Sequence, residues 1–316
     1  MDTNEIGLFT ASLRQAVNRR GEAAVDDALS EVDWRAALAD DPRAATRVVF
    51  SLLGELNLTS GALDDVLTFA LGLDPSAGRA MILPALGGHL PPATYDRAEL
   101  TVAGLASRRI DSATELLVVV DGGKGHFLSR LSTETLTSAA VDGIDPSAGW
   151  RRVHGTVKIS EIKAVSWDDV ITAGQLALAQ QRTSASRAML AFAREHALSR
   201  DQFDRPIASF QAVRHKLADS LVAIEGAQAA LDAGWADPTP FGAAMAKSIA
   251  GTASKTVAKH AQQVLAGMGF TSEHAFHRYM KRSMVLDQLL GSSTTLRKQI
   301  GEAVLESGEV PQLLPL

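Results

Sequence analysis

One short segment of the chain gathers side chains suited to binding a phosphate-bearing ligand. Residues 199–211 read S-R-D-Q-F-D-R-P-I-A-S-F-Q. Arg200 offers a planar guanidinium, whose forked N–H groups fit two phosphate oxygens at once. Phe203 adds an aromatic face, and the amide of Gln211 can both donate and accept hydrogen bonds. The segment is therefore a candidate binding site.

A second segment, about fifty residues further on, has a related composition. Residues 263–270 read Q-V-L-A-G-M-G-F. Gln263 supplies another amide, and Gly267 and Gly269 allow the backbone to approach a ligand closely because they carry no Cβ. This segment is therefore a second candidate for contact with a ligand.

In their order and spacing, the two segments resemble the signatures of the acyl-CoA dehydrogenase family, R-x-x-F-G-x-P-I-x-x-F-Q and Q-x-x-G-G-x-G-[FY]. The resemblance implies that the first segment joins two long helices of a C-terminal domain and lies against a bound FAD. The sequence departs from the pattern at two positions, because Asp204 and Ala266 stand where glycine is usual.

By this resemblance, Arg200 meets the FAD pyrophosphate and Phe203 lies beside the cofactor. Gln211 and Gln263 contact ribose or adenine edges, and the two glycines let the backbone approach. The FAD that they contact is bound by the neighbouring subunit, so the cofactor is shared across an interface. A purely structural role is the alternative, in which Phe203, Ile207 and Phe210 fill the core of a helix-loop-helix junction.

The catalytic glutamate of the family is missing from its two known positions. The E-G-T slot, about twenty residues after the G-F/Y turn, falls on Leu290, and leucine cannot accept a proton. The slot before the R-x-x-F signature falls near Gly174 and Gln175, again without a carboxylate. Asp287, one helical turn before Leu290, is an alternative displaced base.

The family's flavin-binding elements are missing as well. A T-E-P-x-x-G-S-D loop and a W-I-T strand normally hold the flavin ring. Residues 85–94 read A-L-G-G-H-L-P-P-A-T at the loop position, where we predict only a β-turn. Residues 105–110 read L-A-S-R-R-I at the strand position.

The surrounding pattern predicts an α+β protein in three parts. Short helices are expected over residues 1–79, a small β-domain over 80–165 and a four- or five-helix bundle over 166–316. In the β-domain, the runs at 99–104, 115–123 and 150–159 predict strands, the second of them buried and ending in a turn. In the bundle, helices are expected at 177–198, 210–233 and 241–266, with further starts near Glu273 and Thr294.

Composition narrows the function classes. The chain has 316 residues, no cysteine and a formal net charge of −5. These values exclude disulfides and thiolate catalysis, and they give no electrostatic support for nucleic acid or an anionic membrane as partner. The first residues, M-D-T-N-E, lack the apolar region of a secretory signal, so we expect a cytoplasmic protein.

Two further clusters have simpler interpretations. His274 and His277, with Glu273 beside them, are three residues apart, a spacing at which two helical side chains can bind one metal ion. No further ligand is apparent, so we predict a polar helix start and no metal. Residues 278–282, R-Y-M-K-R, are expected to form a solvated or interface face.

The chain looks most like the short, base-lacking subunits of actinobacterial α2β2 acyl-CoA dehydrogenases that degrade steroids such as cholesterol. That resemblance implies a full-length homologue as partner, a bulky steroid-derived acyl-CoA as substrate and an electron-transferring flavoprotein as electron acceptor. Two alternatives stay open, namely a structural or regulatory subunit without flavin, and an autonomous flavoenzyme that uses Asp287.

Overall fold

The computed structural model describes residues 1–96, 99–158 and 163–309. Within the first range, five α-helices precede the sheet; these are α1 (Thr3–Arg20), α2 (Val25–Glu31), α3 (Trp34–Asp40), α4 (Pro42–Glu55) and α5 (Ala62–Ala70). The Asp41 side chain caps α4 by accepting a hydrogen bond from the Ala44 amide at 2.9 Å, and Pro42 occupies the first turn, where it costs no hydrogen bond.

The described residues then form an eight-stranded mixed sheet. Its strands are β1 (Arg79–Ile82), β2 (Ala93–Asp96), β3 (Glu99–Ala106), β4 (Glu115–Asp121), β5 (His126–Leu131), β6 (Thr137–Ala140), β7 (Arg151–Lys158) and β8 (Lys163–Val165). The order is β6-β7-β3-β2-β4-β5-β8, and β1 pairs in parallel with the first half of β4. The three predicted strands are confirmed, although Ile159 lies outside the described residues.

β4, a central strand, is buried on both faces of the sheet. Its residues Leu116, Val118 and Val120 belong to a core cluster within the sheet region, whereas Leu117 and Val119 face a larger core. Successive side chains of a strand point to opposite faces, so a continuous apolar run suits a strand with no solvent face.

The last part is helical, with α6 (Trp167–Ser199), α7 (Gln211–Ala236), α8 (Pro240–Leu265), α9 (Phe276–Gln288) and α10 (Ser293–Ser307). A small hairpin, β9 (Asp201–Gln202) and β10 (Arg205–Pro206), joins α6 to α7. Two expected boundaries were wrong. α6 begins ten residues before position 177, where the Ser166 side chain caps it, and α7 continues through the residues 234–236 that we expected in a loop.

The 33-residue helix α6 connects the parts of the molecule. It packs against α4 and α5 and, along most of its length, against α7 and α8. The largest core cluster runs from Leu13 in α1 through Leu117 in the sheet to Leu178 in α6 and Leu290. The division at residues 79 and 165 stays a prediction, and residues 310–316 of its last part lie outside the described residues.

The described helices include none with the length and apolar character that crossing a membrane requires.

Candidate functional site

The first motif forms the junction between α6 and α7, and its hairpin turns on two residues in the left-handed region. Phe203 has φ of 56° and Asp204 has φ of 61°. A two-residue hairpin loop favours positive φ at both central positions, because its twist then matches that of the strands. Asp tolerates this conformation better than Phe, since its short side chain can bond locally. Asp204 therefore performs the turn that glycine performs in the family pattern.

An open groove of about 510 Å³ lies between this hairpin and the end of α8. Arg200, Phe203 and Gln263 line it, so the structure brings together three of the six predicted ligand residues. Phe203 is 85% exposed and meets Phe210 edge-on, with 6.1 Å between ring centroids. We call this surface the Arg200 groove.

Among the described residues, the charged groups that line the Arg200 groove are basic. Its lining includes Arg200 and Lys216 and contains no carboxylate. Within the described residues, neither basic side chain makes an ion pair or a side-chain hydrogen bond. Arg205, which lies beside the groove, is placed over the Phe210 ring at 4.4 Å from its centroid, a cation–π contact. Free cations beside exposed aromatic rings suit a ligand with both phosphate and a planar base.

The other three predicted residues lie outside the groove lining. Gln211 is the first residue of α7 and lines a neighbouring depression with Arg214 and His215. Gly267 and Gly269 lie in the 3₁₀ turn after α8, where Gly267 is exposed and Gly269 is buried. Their assignment as ligand residues stays a prediction.

The alternative, in which Phe203, Ile207 and Phe210 fill the core of the junction, holds only in part. Phe203 does not fill a core, because most of its side chain is exposed. Ile207 is half-buried and packs against the core of the C-terminal helices. The segment therefore anchors itself through Ile207 and leaves Phe203 free for contact with another molecule.

The two family base positions are neighbours in the fold. Leu290 lies in the turn from Gln288 to Ser292 between α9 and α10, which we call the slot turn, and it contacts Gly174 and Gln175 of α6. Leu290 is fully buried there. A Cβ added at Gly174 would lie 2.3 Å from its Cδ1 atom, so glycine is needed for this approach. Gln175 Nε2 donates to the Leu290 carbonyl at 2.9 Å. An apolar contact thus occupies the position of the base.

Asp287, beside the slot turn, is held by basic and hydroxyl groups. Its carboxylate accepts from Arg182 Nη1 at 2.6 Å, pairs with Lys255 Nζ at 2.9 Å, and accepts from the amide and hydroxyl of Ser293 at 3.2 Å. Burial acts to raise the pKa of Asp287, but the charges of Arg182 and Lys255 outweigh it and lower the pKa to about 2. Such a carboxylate is a poor proton acceptor at neutral pH.

Lys247 is a further buried charge that the motifs did not point to. It is fully buried in α8, and its Nζ donates to the carbonyls of Asp287 at 3.1 Å and of Gly291. Burial first, and then the charge of Arg182, lower the pKa of Lys247 to about 7. In the sequence, a lysine among the small apolar residues of a predicted helix is only a weak indication of a buried charge. Lys247 and Gln175 together fix the backbone of the slot turn.

Residues 85–94, at the family's flavin-loop position, pack on the slot turn. The Gly87 amide donates to the Gln288 carbonyl at 2.8 Å, and the Gly88 amide donates to the Ala85 carbonyl at 2.8 Å, which is the predicted β-turn. Trp167 Nε1 donates to the His89 carbonyl at 2.9 Å. Residues 85–94 therefore cover the slot turn and the start of α6.

The strand position 105–110 contributes to a buried polar network with α5. Ser107 Oγ donates to Asp64 at 2.7 Å, and Arg109 Nη1 donates to Asp65 at 2.6 Å. Burial acts to raise the pKa of Asp64. These residues join α5 to the sheet. A cavity of about 40 Å³ remains between α4, α6, α9 and the sheet, which is room for a few waters but not for an acyl chain.

The structure describes the surroundings of the two remaining clusters. His277 Nδ1 is 2.7 Å from the His274 carbonyl, and the described residues contain no group of three metal-ligating side chains. The expectation was a solvated or interface face over residues 278–282, and solvation is wrong for two of these residues. Arg282 is buried and bonded to Asp145 and the Leu58 carbonyl, and Tyr279 donates to the Glu55 carbonyl at 2.7 Å.

Residues 169–305 match the family model described as acyl-CoA dehydrogenase, C-terminal domain. The chain is 38% identical over 309 residues to acyl-CoA dehydrogenase IpdE2 of Mycobacterium tuberculosis, with 91% of each chain covered.

Two solved structures are similar in fold. One is the ChsE4-ChsE5 complex from Mycobacterium tuberculosis, with a TM-score of 0.80, 20% identity and 99% of each chain covered. The other is a variant of the Tcur3481-Tcur3483 steroid acyl-CoA dehydrogenase, with a TM-score of 0.79 and 19% identity, covering 96% of this chain and 99% of the other.

Proposed function

Because the chain belongs to the acyl-CoA dehydrogenase family, we propose that it is one subunit of a heteromeric, FAD-dependent acyl-CoA dehydrogenase. Homologues in this family bind FAD. The partner is a full-length homologue in an α2β2 assembly. This chain contributes contacts to the ADP half of the cofactor, and the partner supplies the catalytic base and the flavin loop.

A single observation carries this proposal, namely that Leu290 fills the base position as part of the main core. Dehydrogenation of an acyl-CoA requires a group that accepts the α-proton. Leu290 has no such group, and the Gly174 contact leaves no space for a substrate beside it. The chain therefore needs another subunit for catalysis.

The Arg200 groove fits the phosphate-and-base half of FAD. Arg200 would pair with a phosphate, Phe203 would cover a planar ring and Gln263 would bond to polar edges. When bound, FAD supplies the hydride acceptor for the reaction. The part of this chain is to hold and orient the cofactor from the side, since the groove is open and Phe203 is free to meet a second subunit.

The proposed substrate is a bulky, steroid-derived acyl-CoA, and the reduced flavin passes its electrons to an electron-transferring flavoprotein. The support is similarity. One matched structure is a steroid acyl-CoA dehydrogenase made of two named components, and another is a two-component complex. The proposed site of action is the cytoplasm.

The first experiment is coexpression with the full-length homologue, followed by mass and flavin stoichiometry. We expect a heteromer that carries flavin, and a chain alone that is colourless and inactive. Leu290→Glu in this chain should not create turnover, whereas loss of the partner's glutamate should abolish it. A purified homo-oligomer of this chain with stoichiometric FAD and dehydrogenase turnover contradicts the proposal.

A second experiment tests the groove. Arg200→Ala should weaken FAD retention by the heteromer roughly tenfold to hundredfold, because a hydrogen bond to a charged group typically contributes ~1.5–3 kcal/mol. Arg194→Ala is the matched control, since Arg194 is an exposed arginine on the same helix and does not line the groove. Unchanged flavin content after dialysis of the Arg200 variant would remove Arg200 as a ligand.

Variants of the same heteromer distinguish the proposed function from two others. An autonomous enzyme that uses Asp287 would lose turnover in Asp287→Asn while the partner variant kept it, but the ion pairs of Asp287 disfavour this role. A structural or regulatory subunit without flavin contact would give a heteromer whose flavin content does not depend on Arg200.

A further inference from the structure

Two basic side chains of the Arg200 groove lie outside both motifs. Lys216 lines the groove from α7, and His196 lines it from α6, one helical turn before Arg200. We propose that Lys216 and His196 act with Arg200 as a cation cluster that selects a diphosphate over a monophosphate in the bound nucleotide. This inference rests on the proposed function and names the residues that determine its specificity.

The charge distribution is the first argument. The groove combines two permanent cations and a histidine with no carboxylate in its lining. Elsewhere in the described residues, well-buried arginines such as Arg182 and Arg282 are satisfied by aspartate. Arg200 and Lys216 have no such partner. Because like charges repel, a cluster of this kind is most stable when an anion lies between its members.

The arrangement on separate helices is the second argument. Arg200 ends α6, Lys216 lies on the second turn of α7, and Gln263 is on the last turn of α8. A guanidinium can hold two oxygens of one phosphate, and an ammonium acts as a point charge for another. Cations that reach one groove from two elements therefore suit two linked phosphates, while Phe203 and Gln263 remain available for the nucleoside.

His196 makes binding at this site depend on pH. It is half-buried, and burial first, then the charges of Arg200 and His274, act to lower its pKa. Lys216 of α7 is the further charged group that lines the same groove. A bound anion has the opposite effect and favours the imidazolium. Ligand binding then takes up a proton, so affinity should rise as the pH falls toward the ordinary histidine range.

The test uses the full chain and titrates it with ADP, AMP and adenosine by calorimetry. ADP should bind more tightly than AMP in the wild type. Lys216→Met should weaken ADP binding roughly tenfold to hundredfold and reduce the preference for ADP over AMP. Lys124→Met is the control, because Lys124 is an exposed lysine in the β4–β5 turn that does not line the groove. His196→Gln should flatten the pH dependence of ADP binding.

The outcomes separate this inference from the function it rests on. If Arg200→Ala weakens ADP binding and Lys216→Met does not, the cation cluster is wrong and the cofactor groove stands. Equal affinity for ADP and AMP, or no ADP binding by the wild type at millimolar concentration, also overturns the cluster. If flavin retention by the heteromer is then insensitive to Arg200, the proposed function fails as well.

Discussion

The Arg200 groove and the slot turn are built from the two segments that the family uses for binding and for catalysis, and they differ in every physical respect. The groove is open, its ring at Phe203 is 85% exposed, and its cations Arg200 and Lys216 are unpaired within the described residues. The slot turn is closed, Leu290 is fully buried, and the neighbouring Asp287 is saturated with donors. Polar groups are unpaired at the candidate binding region, within the described residues, and paired beside the position where the family pattern has its base.

The difference indicates which region stabilises this chain. Arg200, Phe203 and Gln263 in the groove are exposed, so they contribute little to folding and remain available to a ligand. Slot-turn residues contribute to the main core and to a buried ion network, so changes there should act on the fold. Substitutions in the two regions should therefore change the unfolding free energy by different amounts.

The largest effect is expected for Asp287→Asn. The change leaves Arg182 fully buried without its counter-ion, and breaking one partner of a buried pair costs about 3–5 kcal/mol of unfolding free energy. Urea denaturation measures it. The control is Glu225→Gln, which breaks an exposed pair with Arg187 and should leave the unfolding free energy almost unchanged. Equal losses in the two variants would mean that the network is not structural.

A pH effect should follow from Lys247. Its pKa is lowered to about 7 in the folded chain, against 10.5 for the free group. Between these values the unfolded chain holds a proton that the folded chain has released, so stability rises with pH across this window, by at most about 1.4 kcal/mol per pH unit. Denaturation midpoints at pH 7 and pH 9 check it. In Lys247→Met the rise should shrink; an unchanged slope would assign it to other groups.

A gain of stability is expected at the end of α8. Ala266 has φ of 50° and ψ of −129°, a conformation that suits glycine, which the family pattern has here. Ala266→Gly should therefore stabilise the chain by about 1 kcal/mol. The matched control is Ala229→Gly on the exposed face of α7, where the same change should destabilise by about 1 kcal/mol. Thermal denaturation of both variants checks this. A midpoint that does not rise in Ala266→Gly would mean that the alanine is not strained.

The smallest effect is expected at the tip of the hairpin. Phe203→Ala should change the unfolding free energy by less than about 0.5 kcal/mol, because the ring is exposed. Phe276→Ala, at a fully buried phenylalanine, should cost about 3–5 kcal/mol. A large loss at Phe203 would show that the groove supports the fold of this chain and is not reserved for a partner.

Much of the fold could be predicted from the sequence because its signals are local. Asp41 before Pro42 marks the start of α4, and the apolar run at 115–120 marks the central strand. The helix at Gly234 was missed because tertiary packing decides it. A Cβ at Gly234 would lie 2.8 Å from Leu176 Cδ2, so the glycine there permits a close helix contact and does not break the helix.

The candidate sites divide in the same way. Arg200, Phe203 and Gln263 were predicted because they occur in motifs, and the structure places them around one groove. Lys247 and Arg182 were missed, since their significance depends on a turn more than forty residues away. Lys216 and His196 could have been found from helical spacing, because His196 precedes Arg200 by four residues and Lys216 follows Val213 by three.

The link between α4 and α9 has a consequence for synthesis. Tyr279 donates to the Glu55 carbonyl and Arg282 to the Leu58 carbonyl, each across 224 residues of sequence. A ribosome that adds about 5–20 residues per second needs on the order of 10 to 50 s to make the intervening chain. α6 follows about halfway through that interval, and until it has been made the N-terminal helices expose the apolar face that later packs on it. We expect nascent chains to engage chaperones, and fragments that end before residue 282 to aggregate when they are expressed in cells.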